Sequence, residues 1–446
     1  MKRRSLLKLA AAGSTLCATP FARVYAAPEP YDGRIFVTVQ AAGAWDVTSF
    51  CDPKLNVPGE LEINHWAQSG EIQTEGNILF APFGNNNRFF QKYKNYMMVI
   101  NGVDSQTNAH TVGETHTWSG RNSAGYPSLT SLFAKANAPD VPMSYINFGG
   151  YGETAKIIRS SRLDNVDALL NVLQPNAIPE RDNSDETYRY PSVLNRIQQA
   201  QQERLKRHLA TENSLPRKKF KMEAYYDARA NSSILERFAS VIPPADQLQG
   251  RLAIGQVTNS NLLQQVQIAV LAFKSGVSSA ADFFLNGFDT HSNHDRDHEP
   301  LLSHLLDGID YLWDYAEELG IADRLTVMIS SDFGRTPFYN DSNGKDHWPV
   351  TSAVLMEKDA PWGNRVIGLT DEGHNALSIN PGTLQRDDSN GTKIYPKHIH
   401  KAVRDYLGIG YQPFFPFNNT EDFDFFNADL QTADRDLDPR NTVRIG

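Results

Sequence analysis

The sequence predicts an α/β fold in which helices cover both faces of a mostly parallel sheet. Several short runs are almost continuously apolar, which is typical of strands that are buried on both faces. A strand, a helix and another strand follow one another between residues 281 and 335, and this order is typical of a βαβ unit with parallel strands. No internal repeat is visible in the 446 residues, so we expect neither a solenoid nor a propeller.

Six segments are predicted to form the strands of this sheet. Each is short, largely apolar and followed by a polar or glycine-containing stretch. The segments are residues 34–40, 96–102, 142–150, 281–291, 324–335 and 351–357.

The most regular helical pattern lies at residues 300–319. Its apolar residues recur at helical spacing from Leu301 to Leu319 and would form one buried stripe. Pro300 suits the first turn of a helix, and Gly320 suits its carboxyl-terminal cap. Such a stripe indicates packing on the sheet rather than a cofactor-binding surface.

Residues 1–26 have the organisation of an export signal. Arg3 and Arg4 precede a weakly apolar segment, and Ala26 ends a possible cleavage site. The arginine pair resembles the twin-arginine type, so we expect the twin-arginine export machinery as a partner and a periplasmic or secreted protein. The apolar part is shorter than the ~20 residues that a membrane span needs, so no span is expected in the mature chain. Residues 27–446 would then form a single domain.

Loss of this signal would remove five basic residues and no acidic ones, which changes the formal charge from −9 to −14. A chain this acidic is a poor binder of nucleic acid. Cys51 would be the only cysteine of the mature chain, so no intramolecular disulfide can form.

Two parts of the chain differ from the rest in composition. Residues 190–230 are polar and basic with a helical pattern, and we predict a helical insertion on the flank of the sheet. Residues 411–446 are rich in Phe, Asp and Asn, and we predict an irregular carboxyl-terminal tail.

Candidate metal ligands follow four of the predicted strands. Ligands bind beyond the carboxyl ends of the strands in parallel sheets, so these segments can meet in one crevice. Carboxylates mixed with imidazoles suit zinc, manganese or iron. The polar residues concerned are Asp46, His110, Thr111, Glu114, His116, Asp289, His291, Asp332, Arg335, Asp346 and His347.

The segment after the fourth predicted strand is the richest in histidine and aspartate. We interpret Asp289 and His291 as ligands because they stand directly at the end of the strand. His294 could be a third ligand or a proton shuttle. The residues interpreted as loop or helix-cap residues are Asp295, Asp297 and His298.

Five motifs support a family resemblance when they are taken together: "AGAWDVTSFCDPK", "NAHTVGETHTWSG", "GFDTHSN", "DFGRTPFYNDSNGKDHWP" and "PKHIHKAVRDYLGI". They resemble an exported bacterial family catalogued as domain of unknown function fifteen-oh-one, a relative of the alkaline phosphatase and sulfatase superfamily. The resemblance extends over residues 34–408.

This resemblance implies an alkaline phosphatase-like three-layer α/β/α sandwich with a divalent-metal centre. The metal ligands that it implies are Asp46, Asp289, His291, Asp332 and His347. It places His110 and Thr111 in the segment that holds the nucleophile of the superfamily. One residue separates Asp289 from His291, whereas the phosphatases of the superfamily usually have three, and Phe333 rather than a histidine follows Asp332. We therefore expect one metal ion rather than two.

The predicted function is that of a metal-dependent hydrolase of phosphate or sulfate esters. The divalent metal would be zinc, with manganese, iron or calcium as alternatives, and either a metal-bound water or Thr111 would be the nucleophile. Arg335 would either clamp the anionic substrate or form an ion pair at the surface, and His110 or His294 would transfer protons. The alternative is a non-catalytic, metal-stabilised binding or assembly protein of the cell envelope with the same fold.

Overall fold

The protein is described here by a computed structural model. It describes residues 29–163, 187–209, 232–410, 415–418 and 420–427, and the single positions 169, 170, 173, 176, 178, 215, 217 and 429. The predicted signal at residues 1–26 lies outside the described residues, as do parts of the predicted insertion and tail. The chain divides into two compact units, Met1–Pro28 with Arg189–Ser233 and Glu29–Tyr188 with Ile234–Gly446.

The strands, in chain order, are β1 (Ile35–Ala42), β2 (Gln73–Glu75), β3 (Ile78–Phe80), β4 (Met97–Asp104), β5 (Tyr145–Asn147), β6 (Ser160–Arg162), β7 (Leu252–Ile254), β8 (Thr258–Ser260), β9 (Ala280–Asn286), β10 (Leu325–Ser331), β11 (Gly334–Arg335), β12 (His347–Trp348), β13 (Val350–Glu357) and β14 (Arg365–Ile367). The α-helices are α1 (Asn86–Tyr93), α2 (His110–Ser119), α3 (Leu129–Asn137), α4 (Pro191–Leu209), α5 (Ser232–Val241), α6 (Leu262–Ser275), α7 (His294–Glu318) and α8 (Pro396–Tyr406).

Eight of these strands form one sheet in the order β14-β4-β13-β10-β1-β9-β5-β6. Strand β13 runs antiparallel to both of its neighbours, β10 and β4, and every other neighbouring pair is parallel. The prediction of a mostly parallel sheet is therefore confirmed. Each of the six predicted strands has a counterpart in this sheet: β1, β4, β5, β9, β10 and β13.

Successive residues of β1 point into two separate apolar cores, as the pleat of a strand requires. Ile35 and Val37 belong to the core that also contains residues of α1, α6 and α7. Phe36 belongs to the core that contains residues of α2, α3 and α8. Helices thus cover the sheet on both faces, which makes the fold a three-layer α/β/α sandwich.

The long helix α7 begins earlier than the predicted helix at residues 300–319. Asn293 adopts a left-handed conformation, with φ of 47°, and ends the preceding loop, so that the helix starts at His294. Asp295 and Asp297 then lie in the first turn, where negative charge is favourable. The prediction for His298 as a loop residue was wrong, because His298 is a fully buried helical residue. Gly320 follows the helix with φ of 67°, as its predicted capping role requires.

In the first unit the structure describes chiefly α4, a helix of 19 residues with mostly exposed side chains. It accounts for part of the predicted helical insertion. In the second unit, the aromatic residues Phe423 and Phe425 of the tail are buried in the core beside α8. No helix among the described residues is long and apolar enough to span a membrane.

Candidate metal centre

The carboxyl ends of β1, β4, β9 and β10 lie at one edge of the sheet because these strands are parallel. The antiparallel β13 starts at that edge, so the residues just before it arrive there too. The loop after β4 therefore brings His110, the loop after β9 brings Asp289 and His291, and the segment before β13 brings His347.

Three imidazoles and one carboxylate meet at this edge. Nε2 of His347 lies 3.1 Å from Nε2 of His110 and 3.0 Å from Nε2 of His291. Oδ1 of Asp289 lies 3.0 Å from Nε2 of His291, 3.2 Å from that of His347 and 3.5 Å from that of His110. The ligand atoms of His110, Asp289 and His347 all fall within 4.8 Å of one another.

A separate acceptor holds the other ring nitrogen of each histidine. Nδ1 of His110 donates to Oδ2 of Asp332. Nδ1 of His291 donates to Oδ1 of Asp346 at 2.7 Å, and Nδ1 of His347 donates to the carbonyl oxygen of Asn108 at 2.8 Å. In the neutral form of each ring the single proton would lie on Nδ1, so the Nε2 lone pair would be directed at its neighbours.

This donor set fits a divalent cation. Lone pairs of three nitrogens and one carboxylate oxygen repel one another at 3.0–3.5 Å unless a positive charge lies between them. Ligands at about 2.0–2.1 Å from a tetrahedral zinc ion lie about 3.4 Å apart, close to these separations. The hydrogen bonds to the outer nitrogens are those that metal-bound histidines usually make. A set with three imidazoles favours zinc, manganese or iron over calcium.

Arg335 lies behind the four ligands and stabilises the ionised form of Asp289. Nη2 of Arg335 donates to Oδ1 of Asp289 at 2.6 Å. Partial burial alone would raise the pKa of Asp289, but the hydrogen bond and charge of Arg335, together with His347, lower it to about 2. Asp289 is therefore an ionised carboxylate at neutral pH.

The four ligand side chains are accessible to solvent, with exposed fractions between 24% for His347 and 48% for Asp289. Structural zinc sites are closed, whereas sites that react with substrate keep a face open. A cleft of about 370 Å³ opens near this edge of the sheet and is lined by Asp104, Gln106, Thr107, Asn108 and Pro349. The carbonyl group of Asn108, one of these lining residues, accepts the hydrogen bond from His347 and so connects the cleft to one ligand.

Asp332 was predicted to be a ligand, but the structure places it behind His110. Its side chain is buried. Oδ1 accepts hydrogen bonds from the backbone of Ala44 at 2.6 Å and from Oγ of Ser331 at 2.8 Å, and Oδ2 accepts from His110. The carboxylate therefore orients a ligand, and its hydrogen bond, together with its charge, raises the pKa of His110.

Asp46 was also predicted to be a ligand, and the structure removes it from the centre. After β1 the chain turns at Gly43 and Ala44, which have φ of 111° and 68°, and Asp46 caps a short 3-10 helix, Val47–Ser49. Its carboxylate is fully buried and binds Nζ of Lys345 at 2.7 Å. The cause is the inward turn, which directs Asp46 to the interior instead of the edge.

The clamp predicted for Arg335 does not fit the geometry either. Arg335 is fully buried, and its nitrogens donate to the carbonyl groups of Ala44 and Lys345 at 2.8 and 2.9 Å, to that of Gly43 and to Asp289. Every arm of the guanidinium is thereby engaged within the protein.

Two further predicted roles concern a nucleophile and a proton shuttle. Thr111 is exposed in the first turn of α2, next to His110, and no contact joins its hydroxyl to the four ligands in the part of the chain that the structure describes. His294 is fully buried and binds Asp46 at 3.1 Å and Thr290 at 2.6 Å, so it cannot reach a substrate at the surface.

Sequence reasoning missed the residues that hold the ligands. Asp346 was among the candidate site residues, but its role in orienting His291 was not predicted. The carbonyl group of Asn108 carries no sequence signal. Lys345 is followed directly by Asp346 and His347, but nothing in its residue type reveals that it is buried.

Comparisons with known proteins identify a family for the chain. Residues 81–385 match the family described as "Protein of unknown function (DUF1501)", and the chain belongs to this family. No curated protein matches the chain.

Solved structures are similar to it only at low identity. One, from work on glycosaminoglycan metabolism by Bacteroides thetaiotaomicron, is 9% identical with a TM-score of 0.42, over 90% of this chain and 78% of the other. An alkaline phosphatase superfamily protein from Vibrio parahaemolyticus is 9% identical with a TM-score of 0.35, over 92% and 76% of the two chains. A magnesium-bound variant of TAB5 alkaline phosphatase is 10% identical with a TM-score of 0.33, over 86% and 99%.

Proposed function

We propose that this member of the DUF1501 family is an exported, divalent-metal-dependent hydrolase of phosphate or sulfate esters. The observation that carries the proposal is the convergence of His110, His291, His347 and Asp289 at a solvent-exposed edge of the sheet. The amino-terminal sequence supports the export of the protein, because Arg3 and Arg4 stand where a twin-arginine signal has them.

His110, His291, His347 and Asp289 would hold the ion, with zinc as the first candidate. When bound, a divalent cation would polarise an ester oxygen and lower the pKa of water to about 7. Asp332, Asp346 and the carbonyl group of Asn108 keep the three imidazoles in the tautomer that coordination needs.

The positions of the lysine and arginine side chains near the four ligands indicate how an anionic substrate would be bound. Among the described residues, Arg335 is the only lysine or arginine that contacts the four ligands, and its side chain is buried. Recognition of an ester anion would therefore depend on the cation. The remainder of the substrate would lie in the adjoining cleft, where Gln106, Thr107 and Asp104 offer hydrogen bonds to hydroxyl groups.

A second candidate function is the non-catalytic binding or assembly protein. The observation that favours it is that neither Thr111 nor Arg335 is arranged for catalysis. In that case the metal centre would stabilise the sheet edge or hold a bound anion.

Hydrolysis of aryl phosphates and aryl sulfates by the zinc-loaded and manganese-loaded protein distinguishes the hydrolase from the non-catalytic binding or assembly protein. We expect turnover by the wild type, and a loss of at least about 100-fold in kcat/KM for Asp289→Ala, because the ligand and the anchor for Arg335 are both removed. Asp341→Ala is the matched control, since Asp341 is an exposed acid of the loop between β11 and β12, which contacts the loop of Asp289, and it should keep full activity. A metal-loaded protein that turns over no ester in a broad panel would refute the hydrolase and support the binding protein.

A further inference from the structure

A second charged cluster lies behind the metal centre and is fully enclosed. It is built around the ammonium group of Lys345, whose side chain has no exposed surface. Nζ donates to Oδ2 of Asp46 at 2.7 Å, to Oδ1 of Asn64 at 3.1 Å and to Oγ1 of Thr48 at 3.2 Å. It also lies 5.0 Å from the centre of the Tyr339 ring. An isolated buried charge is costly, and here oxygens and a ring face compensate it.

The oxygen atoms of this cluster are themselves fixed. Oδ1 of Asp46 accepts hydrogen bonds from the backbone and the hydroxyl of Thr48 at 2.9 and 2.7 Å. Oδ2 of Asp46 accepts from Ser49 at 3.0 Å and from His294 at 3.1 Å, in addition to Lys345. Burial alone would raise the pKa of Asp46, but the charge of Lys345 and the hydrogen bond of His294 hold it well below its usual range. The cluster is thus an oxygen-lined pocket for one cation, and the protein supplies that cation.

The backbone of Lys345 connects this pocket to the metal ligands. Its amide donates to the carbonyl group of Thr290 at 3.1 Å, between the ligands Asp289 and His291. Its carbonyl group accepts from Nη1 of Arg335 at 2.9 Å, and Arg335 holds Asp289. The next residue, Asp346, orients His291, and the one after it is the ligand His347. Three of the four ligands are therefore tied to the position of this single residue.

We propose that the ammonium group of Lys345 is a protein-supplied cation in the pocket formed by Asp46, Thr48 and Asn64, and that Lys345 acts as a positioning residue for the metal centre. Truncation of the side chain would then leave a pocket for a small external cation with N–H donors. The role rests on the proposed metal site but not on hydrolysis.

Zinc affinity, measured by competition with a chelator, tests this role of Lys345. Thermal unfolding of each variant checks that it is folded. We expect Lys345→Ala to lose roughly 10–100-fold in zinc affinity, as is typical when a residue that holds a ligand is removed. Ethylammonium should restore most of this affinity, and tetramethylammonium, which has no N–H donor, should not. Lys358→Ala is the control, because Lys358 pairs with Glu317 at the surface, and its zinc affinity should equal that of the wild type.

Lys345→Ala leaves Asp46 buried with an uncompensated charge and can fail to fold. The double variant Asp46→Asn with Lys345→Met removes both charges at similar volume, so it should fold, bind zinc weakly and show no response to ethylammonium. Zinc affinity equal to that of the wild type in the double variant would overturn the proposal, as would a folded Lys345→Ala that ethylammonium does not restore. A wild type that binds no zinc would refute the metal site and this role together, whereas a zinc-binding wild type that hydrolyses no ester refutes only the hydrolase.

Discussion

Each histidine of the metal centre depends on one neighbour for the direction of its coordinating lone pair. Asp332 serves His110, Asp346 serves His291, and the carbonyl group of Asn108 serves His347. These three acceptors differ in burial, because Asp332 is enclosed and Asp346 is exposed. Asp346 can therefore be changed without disturbing the core, which makes it the most informative of the three to test.

We predict that Asp346→Asn weakens zinc binding by roughly 10–100-fold. An asparagine can present its NH2 group instead of an oxygen to Nδ1 of His291, which favours the tautomer with a protonated Nε2. Isothermal titration or chelator competition measures the affinity, and circular dichroism checks the fold. Asp341→Asn in the same loop should bind zinc like the wild type. Equal affinities for Asp346→Asn and the wild type would show that His291 does not depend on Asp346.

The segment between β11 and β12 determines the positions of the ligands His291 and His347. Gly344 in this segment packs directly on the backbone of His291, so that a Cβ atom at this position would collide with the carbonyl group of His291. The backbone of the segment also bonds across to the loop after β9, from Asn293 to Ser342 at 3.1 Å and from His294 to Asn343 at 2.7 Å. These backbone contacts therefore hold the two loops together without any contribution from a metal ion.

Gly344→Ala is expected to separate the two loops. The side chain must displace either His291 or the segment that carries His347, so zinc affinity should fall by more than about tenfold, comparable with the loss of a residue that supports a ligand. The matched control is Gly250→Ala, because a Cβ atom at Gly250 meets no other atom within 4 Å. Zinc titration of both variants checks the expectation. Unchanged affinity in Gly344→Ala would mean that the two loops can move apart without cost to the site.

The strands could be predicted from the sequence, whereas the orientation of two buried side chains and the start of α7 could not. Strands β1, β4, β9 and β10 could be predicted because they are short apolar runs, and the pairing of Asp289 with His291 followed from their position after β9. The orientation of Asp46 and Arg335 could not be predicted, because it depends on the inward turn at Gly43 and on backbone carbonyl groups that leave no trace in the residue types. The start of α7 was misplaced because Pro300 suits a first turn, whereas it lies within the helix.

For the molecule as a whole, buried histidines make stability depend on pH. Burial lowers the pKa of His374 and of His398 to about 4 and that of His400 to about 3. In the unfolded chain these groups titrate near their usual value of about 6.5. The unfolded state therefore binds more protons than the folded state as the pH falls below this value. With respect to these histidines, the free energy of unfolding has its full value above about pH 6.5, and it falls on acidification toward about pH 4.

We predict that these three histidines together lower the free energy of unfolding by about 4 kcal/mol per pH unit as the pH falls from roughly 6 to 4.5, or by about 1.4 kcal/mol each. Denaturant titrations at several pH values measure this slope. His400→Gln keeps a donor for the carbonyl group of Thr117, to which Nε2 of His400 donates at 2.8 Å, and should reduce the slope by about 1.4 kcal/mol per pH unit. His208→Gln changes an exposed residue of α4 and serves as the control. An unchanged slope in His400→Gln would contradict a neutral, buried His400.

The proposed metal centre is one divalent ion bound by His110, His291, His347 and Asp289. Elemental analysis of the exported protein, purified without added metal, tests it most directly. We expect close to one equivalent of zinc, manganese or iron per chain, and almost none in folded His347→Ala, because Nε2 of His347 contacts the other three ligand groups. Absence of metal from every wild-type preparation, or full occupancy in His347→Ala, would contradict it.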